Sequence, residues 1–212
     1  MLIANAKRKE NIAEYLLYMW QVEDILRAYK LNDDEVKRNI VERFQVDSST
    51  RKEIEYWYEN LLEMMRNEHL AEGGHLQINK NVLIRLSDLH IELLKSNKFP
   101  DYVAEFYRAL PYIVELRSKA GEEKSGELET CFNALYGVLM LRLKGVEITP
   151  DTTVAIAQIS KFLALLAKYF KKNEERPLFE EDEVNESQKN LDNRRSWAIG
   201  LGIKRFAAIN SI

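Results

Sequence analysis

The sequence predicts an all-α protein: about seven helices in a mostly antiparallel helical bundle, with a flexible C-terminal extension. Apolar residues recur at helical spacing almost throughout, and no convincing alternating run precedes the last twenty residues. Turn formers are scarce, with 8 Gly and 4 Pro in 212 residues, whereas all-β domains need many more. The connections between periodic stretches are short, which makes consecutive helices antiparallel neighbours.

A first helix is expected over about residues 7–29. Asn32, followed by Asp33, Asp34 and Glu35, caps a short second helix with Val36, Ile40, Val41 and Phe44 on its inner side. Thr50 and Glu53 have capping-box spacing and open a third helix, which Gly73 and Gly74 end. Asn79 caps a fourth, running to about residue 97. A fifth covers residues 99–121 and contains Pro111, which should kink or split it on the solvent face shared by Ala104, Arg108 and Glu115. A sixth spans residues 127–144 and stops at Gly145. Thr149, Pro150 and Asp151 then make a strong start signal for a seventh. Its inner face carries Ile156, Ile159, Phe162, Leu163, Leu166 and Phe170, with Lys161 and Lys168 opposite.

Composition divides the chain into a bundle over residues 1–172 and an extension over 173–212. The extension begins as an acidic linker, which reads as disordered. It then turns basic and apolar, with Trp197, Ile199, Leu201 and Ile203 at period two and Arg194, Arg195, Lys204 and Arg205 around them. A mobile tail is the simplest expectation; docking of this segment on a partner or an anionic membrane is the functional alternative.

The stretch "YLLYMWQVED" at residues 15–24 raises the question of an aromatic pocket with acids at its rim. On a helical wheel Ile12, Tyr15, Met19, Val22, Leu26 and Tyr29 share one face, while Leu17 and Trp20 lie on nearly the opposite side, towards which Asp24 also projects. A helix apolar on two sides is one packed between neighbours. Arg27 follows Glu23 by four residues, the favourable order for a helical ion pair.

Several function classes lose support. The formal net charge is −3, so no nucleic-acid partner is expected. The single Cys131 leaves no intramolecular disulfide or Cys-cluster zinc site. No His pair or Glu-x-x-His pair at metal-ligand spacing sits on a helix, and no phosphate-binding or nucleophile-elbow motif occurs. Neither metal nor cofactor is expected, and an enzyme is the less favoured reading. The first ten residues turn basic after four and lack an apolar h-region, and no uninterrupted apolar stretch approaches the ~20 residues of a membrane span. A cytoplasmic location is the resulting expectation.

What remains is a set of ionisable residues on faces that should be inside. His90 falls among Leu83, Leu86, Leu93 and Leu94. Arg117 shares a face with Phe106, Leu110 and Ile113, and Arg142 with Leu128, Leu135, Val138 and Leu139. Internal pairing with carboxylates such as Glu23, or snorkelling to water, accounts for them structurally. The functional alternative is an interior site for a small anionic metabolite lined by Glu23, His90, Arg117 and Arg142. The connection "GGHLQIN" is the other unusual stretch. His75, Gln77 and Asn79 there either satisfy helix ends or form a recognition loop. The favoured role is a non-enzymatic helical protein acting on an unknown protein partner or on itself.

Finally, "IANAKRKENIAEYLLYMWQVEDILRA", "GHLQINKN", "LHIELLKS", "ALPYIVELRSK" and "ETCFNALYGVLMLRLKG" resemble segments of an uncharacterised bacterial family, a helical domain of unknown function. The resemblance covers about residues 1–172. It implies a helical fold and no activity, cofactor or site residue.

Overall fold

The computed structural model describes residues 2–119 and 125–179. The expectations for the period-two tail lie outside these residues. The described residues contain eight α-helices and a 3-10 turn, and no strand. Residues 1–171 form one compact unit.

The expected first helix is two. Helix α1 (Leu2–Glu10) and α2 (Ile12–Ala28) meet at Asn11, whose extended backbone (φ −152°, ψ 105°) ends one and starts the other. Its Oδ1 accepts from the amides of Ala13 (3.0 Å) and Glu14 (3.3 Å). The sequence does hold this signal: Asn11 followed three residues later by Glu14 is a capping-box spacing, hidden inside an unbroken apolar period.

After α2 the chain turns through Lys30 and Leu31, both left-handed at φ 54°. Non-glycine residues in that region cost about 1–3 kcal/mol each unless held. Here Arg66 holds the turn, donating to the Leu31 carbonyl at 2.6 Å and pairing with Asp33. Helix α3 (Asp33–Asn39) is capped by Asn32 as expected, with a 3-10 turn at Val41–Arg43. Val36 and Val41 are buried, Ile40 and Phe44 half-buried.

Helix α4 (Ser48–Asn67) starts earlier than the Thr50–Glu53 spacing suggests. Asp47 accepts from the hydroxyls of Ser49 and Thr50 and from their amides (2.9 and 3.0 Å), and these bonds, the hydroxyl ones above all, hold its carboxyl well below the usual carboxylate range. The glycines do not end α4; the chain leaves it at Glu68 and His69, the latter at φ 55°. Gly74 serves the connection instead, at φ 85°.

Helix α5 (Gln77–Lys95) also starts before its expected cap, so Asn79 lies in its first turn. Helix α6 (Pro100–Lys119) runs through Pro111 without being split, and Pro111, Ala104, Arg108 and Glu115 are all exposed. Helix α7 (Glu127–Leu143) ends before Gly145, left-handed at φ 71°.

Helix α8 (Pro150–Glu175) begins where predicted, with Thr149 Oγ1 accepting from the Thr152 amide at 3.3 Å. By length and composition α8 could cross a membrane, yet its predicted inner face, from Ile156 to Phe170, is buried in the core. Fully burying each such Leu, Ile or Phe contributes about 1.5–3 kcal/mol.

Helices α5, α6 and α7 pack mutually, with α2 against α5. Beyond Lys171 the described chain belongs to a second unit, in which the Leu178 amide donates to Asn173 Oδ1 at 2.9 Å.

Candidate functional site

Trp20, Glu23, Asp24 and Arg27 stand at i, i+3, i+4 and i+7, so a single face of α2 presents all four. Trp20 is buried, as a helix packed on two sides requires, and Glu23 is fully buried too. A buried carboxylate costs several kcal/mol unless hydrogen bonds replace its water. Glu23 gets three. Oε1 accepts from the Leu76 amide (3.0 Å) and from Asn79 Nδ2 (2.7 Å), and Oε2 lies 2.6 Å from His75 Nδ1. Leu76 and Asn79 are the cap and first turn of α5, so the carboxylate also sits at the positive end of that helix.

The neighbouring side chains extend the same network. The His75 ring stacks on Trp20 with centroids 4.1 Å apart and planes 13° from parallel. Tyr136 of α7 meets Trp20 edge-on at 5.7 Å and donates its hydroxyl to Asp24. Burial and Asp24 together push the Tyr136 phenol above its ordinary value, so the hydroxyl remains a donor.

Arg27 pairs with Asp24 (2.7 Å) rather than with Glu23, and its Nη1 reaches across to the carbonyls of Gly74 (3.0 Å) and Leu70 (3.4 Å). Glu68 completes the arrangement by accepting from the Gln77 amide at 2.7 Å. The irregular connection 68–76 is thus braced by Glu23 and Arg27 from α2 and by Glu68 at its own start.

A second cluster lies farther along α5. His90 is buried against Phe106 (4.9 Å) and Phe162 (5.6 Å), its Nδ1 2.6 Å from the Tyr102 hydroxyl. Its Nε2 has no hydrogen-bond partner among the described residues; the Glu127 carboxylate stands 3.5 Å away. Burial lowers the pKa of His90, and Glu127 opposes that shift. Burial raises the Tyr102 phenol, and with Glu127 pushes the Cys131 thiol up to about 12, so that thiol is no ready nucleophile.

The residues singled out in the sequence therefore separate. Glu23, His75 and Asn79 come together. Gln77 is exposed, its side chain donating to Asn81 Oδ1 at 2.9 Å. His90 belongs to the other cluster, eleven residues or about 16 Å further along the helix from Asn79.

Arg117 and Arg142 correct the expectation of an interior cationic site, because both are exposed. Each lies in the last turn of its helix. There the side chain reaches water, and a cation complements the helix dipole. No group of three or more His, Cys, Asp or Glu residues able to hold a metal ion occurs among the described residues. Sequence reasoning missed Trp20, Asp24, Arg27 and Tyr136 as one network. The i, i+3, i+4, i+7 spacing of the first three with Glu23 was the available signal.

Fold and site together define a class: an all-helical bundle whose buried polar groups hold an interhelical connection in place. The chain belongs to the family described as Domain of unknown function (DUF4924), which matches residues 1–176. No curated protein and no solved structure matches it.

Proposed function

We propose that this protein is a non-enzymatic helical binding protein and that the braced connection 68–76, with the first turn of α5 that follows it, is its recognition loop. The observation that carries the reading is the use of a fully buried carboxylate, Glu23, to fasten a loop. A loop fixed before binding loses little conformational entropy when a partner arrives. His75, Gln77 and Ile78 stand at least partly exposed on this fixed backbone. The anionic-metabolite reading has lost its two arginines to the surface, and no observation favours it.

Native mass spectrometry of the protein purified from its own host tests the proposal. The expected result is a bound polypeptide, a second copy included, that is retained by the wild type and lost on Ile78→Gln. Ile78 is 40% exposed, so this change leaves the core intact. A bound species of a few hundred daltons that survives Ile78→Gln would overturn the reading.

A further inference from the structure

We infer that the partner presents a Lys or Arg side chain to His75 at the braced connection. This rests on the recognition-loop reading above and names the chemistry of the occupant. The first observation is the tautomer of His75. Nδ1 faces a carboxylate, which accepts, so the neutral ring carries its proton on Nδ1 and its lone pair on Nε2. No hydrogen bond to that Nε2 occurs among the described residues, and the side chain is 28% exposed.

The second observation is Asn79. It is 1% exposed, its Nδ2 is taken by Glu23, and its Oδ1 is a buried acceptor without a donor among the described residues. The cluster therefore has more acceptors than donors.

The third is charge. Between residues 67 and 79 there is no Lys or Arg, while Glu68 and Glu72 are both present; of the flanking cations, Arg66 is paired with Asp33 and Lys80 stands exposed on α5, so the balance is still negative. The adjacent Asp24 and Arg27 neutralise each other. A surface with a spare acceptor and net negative charge is complementary to a cationic hydrogen-bond donor. Ile78 beside it offers apolar contact to the stem of such a side chain.

Random peptide display on the full chain, followed by calorimetric titration of a synthetic selected peptide, tests this. The expected outcome is a Lys or Arg at one fixed position of the selected peptides. Binding should fall tenfold or more on replacing that residue with norleucine, and similarly with His75→Asn or Glu72→Lys in the protein. His75→Asn retains an N–H for Glu23 and removes the Nε2 acceptor. Glu72 is exposed, so its reversal leaves folding alone and guards against a misfolded His75 variant.

Selected peptides that are acidic or uncharged, yet still released by Ile78→Gln, would overturn the cationic partner and leave the recognition loop standing. Peptides indifferent to Ile78→Gln, or no enrichment at all, would sink both.

Discussion

Two glutamate–histidine pairs in this molecule are built as opposites. At the braced connection the carboxylate is inside and the imidazole partly outside: Glu23 is fully buried with three donors, and the His75 side chain is 28% exposed. Between α5 and α7 the imidazole is inside and the carboxylate is not. His90 is buried, while the Glu127 side chain is 39% exposed and stands 3.5 Å away. The first pair closes its inner hydrogen bonds with the imidazole at the rim. The second leaves its free atom, His90 Nε2, in the core. The difference teaches that a buried ion is tolerated where the backbone itself supplies donors, and that a ring nitrogen in an aromatic core is better left uncharged.

The strongest way to break the comparison is to remove the saturated carboxylate. Glu23→Leu leaves the Leu76 amide, the Asn79 amide and His75 Nδ1 without their acceptor. A loss of about 3–5 kcal/mol is expected, read from the urea midpoint. Hydrogen exchange should quicken in residues 70–79 well before the core opens. A loss under about 1 kcal/mol would mean that Glu23 holds nothing.

The second cluster should respond less. Tyr102→Phe deletes the hydroxyl 2.6 Å from His90 Nδ1 and leaves that nitrogen unpartnered as well. About 1–3 kcal/mol should be lost, with no change in exchange at residues 70–79. Equal quickening at both places would show that the two pairs are one network.

The pH dependence separates the pairs further. Burial holds the pKa of folded His90 below its ordinary value, opposed by Glu127. Facing the ring are Tyr102 and Phe106 of α6, Glu127 of α7 and Phe162 of α8. The unfolded chain therefore binds the proton first. The stability contributed by neutral His90 is present above about pH 6.5 and is lost as pH falls below it, by at most about 1.4 kcal/mol per pH unit. Denaturation midpoints between pH 7 and pH 5 should show this slope, flattened in His90→Leu and steepened in Glu127→Gln.

How much of this was legible in the sequence follows from which forces are local. The all-helical fold, the start of α8 at Thr149 and the core face from Ile156 to Phe170 depend on periodicity and capping within a few residues, and were readable. The break at Asn11 is local too, but the uninterrupted apolar period around it masked the cap.

The site was half legible. Glu23, His75 and Asn79 could be named, but as members of two different hypotheses. What joins Glu23 to residues 75–79 is a contact across more than fifty positions, and a helical wheel carries no information about that. The wheel did suggest Arg27 as a partner for Glu23, whereas the guanidinium took Asp24 and two loop carbonyls. Spacing permits a pair, but the loop's unsatisfied carbonyls decide it.

The smallest expected effect comes from the residues that the wheel placed inside and the fold does not. Arg117→Ala and Arg142→Ala should each change stability by no more than about 0.5 kcal/mol, because an exposed cation in a last turn gains only a screened dipole interaction. Neither should alter peptide binding at residues 68–79. The double variant sharpens the contrast. If two cations that share apolar faces with core residues can be removed together without consequence, then helical phase alone does not make a charge structural. What does is enclosure with donors already in place, the condition Glu23 meets and the two arginines escape by lying where their helices run out.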